Sequence, residues 1–592
     1  MFAVIPIFSF FLFWFNFYQK NHEWRQSFLY AAALWGSVVW FLTEIPSLFY
    51  ALSFGVLMIG WLIVAAGAGC CAVFNQKAFD FGKWTLSLKT VTLTEKIILF
   101  FIVSIAVLKG ISAIYSAPNT SDALSYHLTR VEHWIQNRTI ANYPSHVTRE
   151  LYSPPWAEYA ILQLRILSQG DYFSNAVQWF SAIGSWVAVS GLAGLLGANR
   201  KGQLMAVLLA ASLPMSLVQA TSTQTDYVMT FWVAGFVYLL WLMYQKSTWG
   251  IAFTSGIFLG LAFLTKGNTY LLVPVWMIVY LIASITTRNY KKLKFLAFIV
   301  LVACLFNVPY AIRNTSTFGS PYWTHSSFVN QSISPSKLIS SMGSNLILHI
   351  DQRQRTGEDD TANEFYLILM MGVLLWLFFY HPFRRKFYLN YALCIVLMFT
   401  IFSAVVPFAP FNIRFHLAIF IISTALVGTV LAQWLPHQWT AAAAILIYIS
   451  SWPWLFKCNE HPLIGPSSIF HTTRMQQYFS ERSLMVYPFS QTVKLIGTGN
   501  CRDIGLISNE NEWGYLWWVL FRQNFGDHFR IEDVGVGNKS ALLAFPSGPF
   551  NPCALIATND NRTEIALSSG VYARVWSMQL PDDLTSVFIK VL

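Results

Sequence analysis

Residues 121–138, SDALSYHLTRVEHWIQNR, gather a carboxylate (Asp122), Tyr126, His127, Arg130, His133 and Asn137 in one short polar stretch. Such side chains can take a proton from a hydroxyl and hold an anionic group by charge-assisted hydrogen bonds. At roughly 100° per residue, Asp122, Tyr126, Arg130, His133 and Asn137 fall on one side of a helix, and Leu124, Leu128, Val131 and Ile135 form the opposite stripe. The spacing predicts an amphipathic helix lying apolar face down in a membrane interface, with its polar stripe toward water or a cavity. A second is expected at WAEYAILQLRIL, 156–167, after the turn signal SPP. Spacing alone also admits a plainer account. Ser121 or Asp122 is a good N-cap, an acid in a first helical turn favours the helix dipole, and Tyr and His are common interfacial residues.

The elements that must position these groups are membrane spans. The chain has 592 residues, 55% hydrophobic and only 11% charged, and its mean hydropathy is +0.49. That composition belongs to a polytopic α-helical membrane protein. About fourteen apolar segments approach the ~20 residues a bilayer requires. They lie near 2–17, 28–46, 48–72, 97–115, 173–198, 202–220, 226–245, 249–265, 268–287, 294–312, 364–380, 388–408, 413–433 and 437–456. With these spans, the basic residues Lys20, Arg25, Lys77, Lys83, Lys89, Arg200, Lys201, Lys246, Arg288, Lys291, Lys292, Lys294, Arg384, Arg385 and Lys386 share one side, the cytoplasmic one. Loops 116–172 and 313–363 and the tail from 457 then lie outside the plasma membrane, here read as a bacterial inner membrane. The net charge of +11 resides in those short loops, so nucleic acid is not an expected partner.

The tail reads as a small extracytoplasmic α/β domain. IGLIS at 504–508, ALLAF at 541–545 and CALIA at 553–557 look like buried strands, and NENEWGYLWWVLFRQ at 509–523 like a helix. Its carboxylates Glu510, Glu512 and Asp533 are expected at the surface. A disulfide between Cys501 and Cys553 would leave Cys458 free, although spacing alone does not show it. The expected division is 1–95, N-terminal helices; 96–456, the membrane region with both outer loops; and 457–592, the outer domain. No zinc-finger spacing, HExxH, P-loop or dinucleotide fingerprint is present.

A multispan chain with SDALSYHL just after a span, followed by two amphipathic helices, resembles the GT-C glycosyltransferases. More closely, it is similar to the bacterial branch related to protein O-mannosyltransferases and aminoarabinose transferases, a family 39-like group. The resemblance covers about residues 95–435. It implies a catalytic acid at Asp122 and a second at Asp226, in the loop TSTQTDY. GLAFLTKGNTYLLVP at 260–274 resembles the family's Lys-Gly segment and points to Lys266, and FNIRFHLAIF at 411–420 points to Arg414. SDALSYHL departs from the commoner DEAxY form, and the first three spans and the tail depart from the minimal pattern.

The implied reaction moves a sugar from a polyprenyl-phosphate donor to a lipid, glycan or protein acceptor, with inversion at the sugar carbon. Asp122 would act as base, and Lys266, Arg313 and Arg414 would hold the departing phosphate. Tyr126, His127, Arg130 and His133 are the other expected substrate-binding residues, and Lys109 is a further cation within a span. The residues point to no certain cofactor, and a divalent metal ion stays open as one. Two other readings stay open. Lys266, Arg313 and Arg414 could simply reach toward headgroups, and the chain could be a transporter or flippase of a lipid-linked or small solute, or a non-catalytic subunit.

Overall fold

The computed structural model describes residues 2–74, 91–322, 328–332, 334–350, 355–379, 385–499, 501–581 and 583–591. Lys77, Lys83, Lys89 and Arg384 of the basic loops, and Asp351 and Arg353 of the loop 313–363, lie outside them. The chain is a multi-pass membrane protein. Among the described residues nine helices are long and apolar enough to cross a bilayer, among them Trp24–Ser47, Leu93–Tyr115, Asp226–Gln245, Lys291–Phe318 and Leu417–Trp434. The expected count of fourteen is not reproduced by these nine among the described residues. Pro214 divides one apolar run into Arg200–Ser212 and Pro214–Gln219 because it lacks the N–H that would continue the ladder. Trp249–Phe263 and Glu364–Phe379 have only 15 and 16 residues.

Asp226–Gln245 and Leu417–Trp434 are the most enclosed of the nine. Small residues allow this. A Cβ on Gly235 would run into the Phe258 ring, and one on Gly428 into the Ala206 backbone. In lipid, helices associate largely through such close packing. The central pair thereby fixes where Asp226 and the segment before Leu417 emerge from the bundle.

The C-terminal domain carries one six-stranded sheet, ordered β2-β1-β3-β6-β5-β4. Its strands are β1 (Asp503–Ile507), β2 (Arg530–Asp533), β3 (Ala554–Thr558), β4 (Glu564–Leu567), β5 (Gly570–Leu580) and β6 (Asp583–Lys590). β1 is parallel to both β2 and β3, and β3, β6, β5 and β4 pair antiparallel. Parallel pairing needs a crossover, which the helix Tyr515–Phe525 supplies between β1 and β2. Two expected strands are β1 and β3. ALLAF is not a strand: Lys539–Leu542 forms a short 3₁₀ turn and Leu542 is 93% exposed. Asn538 caps that turn through Ser540 N–H, ending extended structure there. Cys501 and Cys553, at the starts of β1 and β3, form a disulfide with Cα atoms 5.7 Å apart, and Cys458 is free and buried.

Candidate active site

The polar stretch after Leu93–Tyr115 does not wind as one regular helix. Ala123–His127 form a π-helical turn, and Leu128–Asn137 continue as an α-helix. A π turn holds about one residue more than an α turn, which swings the following side chains by roughly 100° relative to an unbroken helix. Asp122 and Tyr126 therefore face differently from Arg130 and His133. The chain entering the turn is pinned by the C-terminal segment: Ala117 N–H donates to Gln477 Oε1 (2.9 Å) and Asn119 Nδ2 to Glu460 O (2.7 Å).

Asp122 makes no capping bond. Its Oδ2 instead accepts from Arg414 Nη2 at 2.5 Å, and its Oδ1 lies 3.6 Å from Arg149 Nη1. Arg414 sits on the single-turn helix Asn412–Phe415, set up by the Pro407 and Pro410 bend before Leu417–Trp434. Its Nη1 donates to Gln224 Oε1 at 2.9 Å and lies 3.0 Å from Asp359 Oδ1. Gln224 Nε2 in turn donates to Glu358 Oε1 at 2.5 Å.

Asp226 opens its helix, where the dipole favours a carboxylate, and Lys266 lies in the turn after Trp249–Phe263. Lys266 Nζ donates to Asp226 Oδ1 at 2.7 Å and stands 4.5 Å from the centroid of the Phe415 ring, the residue next to Arg414. Asp226 Oδ2 is buried with no hydrogen-bond partner among the described residues. Six segments, those bearing Asp122, Arg149, Gln224 with Asp226, Lys266, Glu358 with Asp359, and Arg414, thus contribute charged or polar groups to this place. Asp122 keeps 17% of its side chain exposed, whereas Asp226 keeps none.

Burial pushes the Asp122 carboxyl up, but Arg414, then His127 and Arg149, outweigh it and hold the group well below the usual range. Burial raises Glu358 and Asp359, and Asp359 adds to the rise of Glu358. Burial lowers Lys266, opposed by Asp226. A carboxylate kept ionised, beside cations that a second anion can compete for, is equipped for proton and phosphate chemistry.

Other expected site residues go elsewhere. Arg130 donates to Glu158 Oε1 (3.0 Å) and Ser153 O (2.9 Å), and His127 Nδ1 lies 2.7 Å from the same Glu158 oxygen. His133 stacks on Tyr143 with centroids 4.2 Å apart and meets Trp518 edge-on. The polar face of Leu128–Asn137 is thus buried, not turned to water, because the C-terminal domain packs over it. Arg313 is clamped by Glu44 at 2.7 and 2.9 Å, and Lys109 donates to Trp454 O at 3.0 Å. Tyr126 stays beside Asp122, under the Arg149 guanidinium at 4.7 Å. Asp533 is buried, only 4% exposed, contrary to a surface role, because it accepts from His146 N–H.

Arg149, Gln224 and Phe415 carry no sequence signal that separates them from ordinary polar or aromatic loop residues. Glu358 and Asp359, in the loop 313–363, likewise carry no sequence mark as partners of Gln224 and Arg414. Among the described residues no group of three or more His, Cys, Asp or Glu is arranged to hold a metal ion.

Residues 153–312 match the family model for dolichyl-phosphate-mannose-protein mannosyltransferase. No curated protein matches the chain. Among solved structures, apo ArnT from Cupriavidus metallidurans is similar over 83% of this chain and 97% of its own, at 14% identity and TM-score 0.50. The same protein bound to undecaprenyl phosphate aligns over 83% and 98%, at 14% identity and TM-score 0.48. The Archaeoglobus fulgidus oligosaccharyltransferase, in complex with zinc and sulfate, covers 77% of this chain and 67% of its own, at 12% identity and TM-score 0.45. The chain is thus a membrane protein that shares the fold of ArnT, with a mannosyltransferase family match over residues 153–312.

Proposed function

We propose that the chain moves a sugar from a polyprenyl-phosphate donor to an acceptor on the extracytoplasmic side of the membrane, with Asp122 as the base and inversion at the sugar carbon. The observation that carries this reading is the network itself: Asp122, Asp226, Lys266 and Arg414 meet although they span nearly three hundred residues of chain. The family model over residues 153–312, whose name specifies a dolichyl-phosphate-mannose donor, supports a lipid-phosphate sugar.

In the mechanism, donor phosphate approaches Arg414 and Lys266, the two cations of the network. Competition for Arg414 loosens its grip on Asp122, which raises the basicity of a carboxylate that is otherwise too weak a base. Donor binding and base activation are then coupled. Asp122 is the base rather than Asp226 because an acceptor can reach it; the enclosed Asp226 orients Lys266. The acceptor hydroxyl gives its proton to Asp122 as its oxygen attacks the anomeric carbon, and the sugar–phosphate bond breaks, leaving its electron pair on the phosphate oxygen held by the two cations.

The test is reconstitution of the full chain with polyprenyl-phosphate mannose, following donor consumption and the anomeric configuration of the product. Retained configuration would remove direct displacement. Wild-type protein that translocates the lipid across vesicles without consuming the sugar linkage would favour the flippase reading instead.

A further inference from the structure

We infer that the C-terminal domain completes the site: its turn 509–513 holds Arg149, and Arg149 positions Asp122 and Tyr126. The inference rests on the reading of Asp122 as the working carboxylate.

Arg149 begins the one-turn helix Arg149–Tyr152. Its Nη2 donates to Glu510 O at 2.6 Å and Asn511 Oδ1 at 2.7 Å, while Thr148 Oγ1 donates to Glu510 Oε1 at 2.9 Å. The other arm reaches the site, with Nη1 3.6 Å from Asp122 Oδ1 and the guanidinium carbon 4.7 Å from the Tyr126 ring centroid. The same turn touches the residue beside the acid: Trp513 Nε1 donates to Ser121 Oγ at 3.3 Å. Gly514 then permits close approach, since a Cβ there would come 2.8 Å from Thr129 Cγ2.

The two oxygens of Asp122 are thus governed from opposite sides. Arg414, from the bundle, grips Oδ2 at hydrogen-bond distance. Arg149, from the domain side, stands too far from Oδ1 for a strong hydrogen bond. Its charge favours the ionised carboxylate while the Oδ1 lone pairs stay available to an acceptor hydroxyl. Only a guanidinium can do this, because a planar fork binds the turn with one nitrogen and faces the acid with another. Arg149 is a positioning residue, and the domain's turn is its mount.

The experiment uses the reconstituted full chain, polyprenyl-phosphate mannose as probe, and the variants Arg149→Met, Arg149→Lys, Asn511→Ala and Arg149→Met with Asn511→Ala. Misplacement of a reacting group by a remote change costs on the order of 10- to 100-fold, so Arg149→Met should lower kcat by that factor with donor KM unchanged. Arg149→Lys should recover only part. Asn511→Ala, which removes one exposed hydrogen bond, should cost about 2- to 5-fold. In the double variant it should cost nothing further, because both changes break one chain of contacts. Unchanged kcat in Arg149→Met, multiplicative losses in the double variant, or a loss that vanishes on correction for folded fraction would each overturn the inference. Asp122→Asn in the same assay separates the two claims. If it turns over like wild type, the reading of Asp122 fails; if it is inactive while Arg149→Met is normal, only the role of Arg149 fails.

Discussion

Arg414 and Asp122, 292 residues apart in sequence, form a direct ion pair at 2.5 Å, and the same guanidinium binds Gln224 and Asp359 through its other arm. Arg414 is therefore not a helix-end cation reaching for headgroups. It joins the loop after the span Leu93–Tyr115, the start of the helix Asp226–Gln245 and the loop 355–361. An anion entering this place meets a cation whose present partners can be exchanged.

Asp122→Asn should yield a folded, nearly inactive protein. No capping bond is lost, and Arg414 keeps Gln224 and Asp359 as partners. Removal of a general base typically lowers the rate by ~100- to 10,000-fold. Turnover of reconstituted protein measures this, and wild-type rates would return Asp122 to a structural role. Asp226→Asn should also impair turnover, and it should lower the unfolding midpoint as well, since Lys266 loses its carboxylate partner.

Donor affinity should depend on Lys266 and Arg414. Binding of polyprenyl phosphate without sugar, read by native mass spectrometry, should weaken about 10-fold or more in each alanine variant, as expected for a lost charge-assisted contact. Lys266→Arg should retain part of the affinity, whereas Arg414→Lys should not, because it loses the fork that spans Asp122 and Gln224. Equal affinity in all variants would reduce these residues to helix anchors.

Arg313 should behave in the opposite way. Its guanidinium is clamped by Glu44, which is 5% exposed. Arg313→Ala leaves that carboxylate with the Tyr159 hydroxyl but without its charged partner, a change worth up to about 3–5 kcal/mol when a buried pair is broken. The expected result is a lower unfolding midpoint with unchanged donor affinity in the folded fraction. A specific loss of donor binding would place Arg313 back among the phosphate ligands.

Contact between the loop 139–155 and the C-terminal domain should weaken as pH rises. Glu150 is buried, and burial, then the neighbouring Asp533, raises its carboxyl well above the ordinary 4.5. An acid whose folded pKa exceeds its unfolded one binds more protons when folded. Its contribution is therefore complete below about 4.5 and declines as pH climbs through the folded value. Glu150→Gln should flatten that decline in unfolding measurements or in proteolysis of the domain boundary. A slope identical to wild type would assign the pH dependence to other groups.

Composition and local pattern define the class of molecule and the side chains available at one end of it. Apolar run length is a local transfer property, so a multispan protein was legible without any knowledge of packing, and so were the α-helical part of 121–138, the helix at 156–167 and the strands β1 and β3. The order of Asp122, Asp226, Lys266 and Arg414 at span ends was legible through a family resemblance. Tertiary structure alone decided who meets whom. The π turn at Ala123–His127 leaves no periodic trace, yet it separates Asp122 and Tyr126 from Arg130 and His133. Glu44 sits in an early span with nothing nearby to announce Arg313 as its partner. The burial of Asp533 and the mounting of Arg149 on Glu510 and Asn511 depend on how the C-terminal domain docks. Hydropathy reports the environment of one segment, whereas a buried ion pair is set by close packing of segments hundreds of residues apart, and only the folded chain supplies that distance.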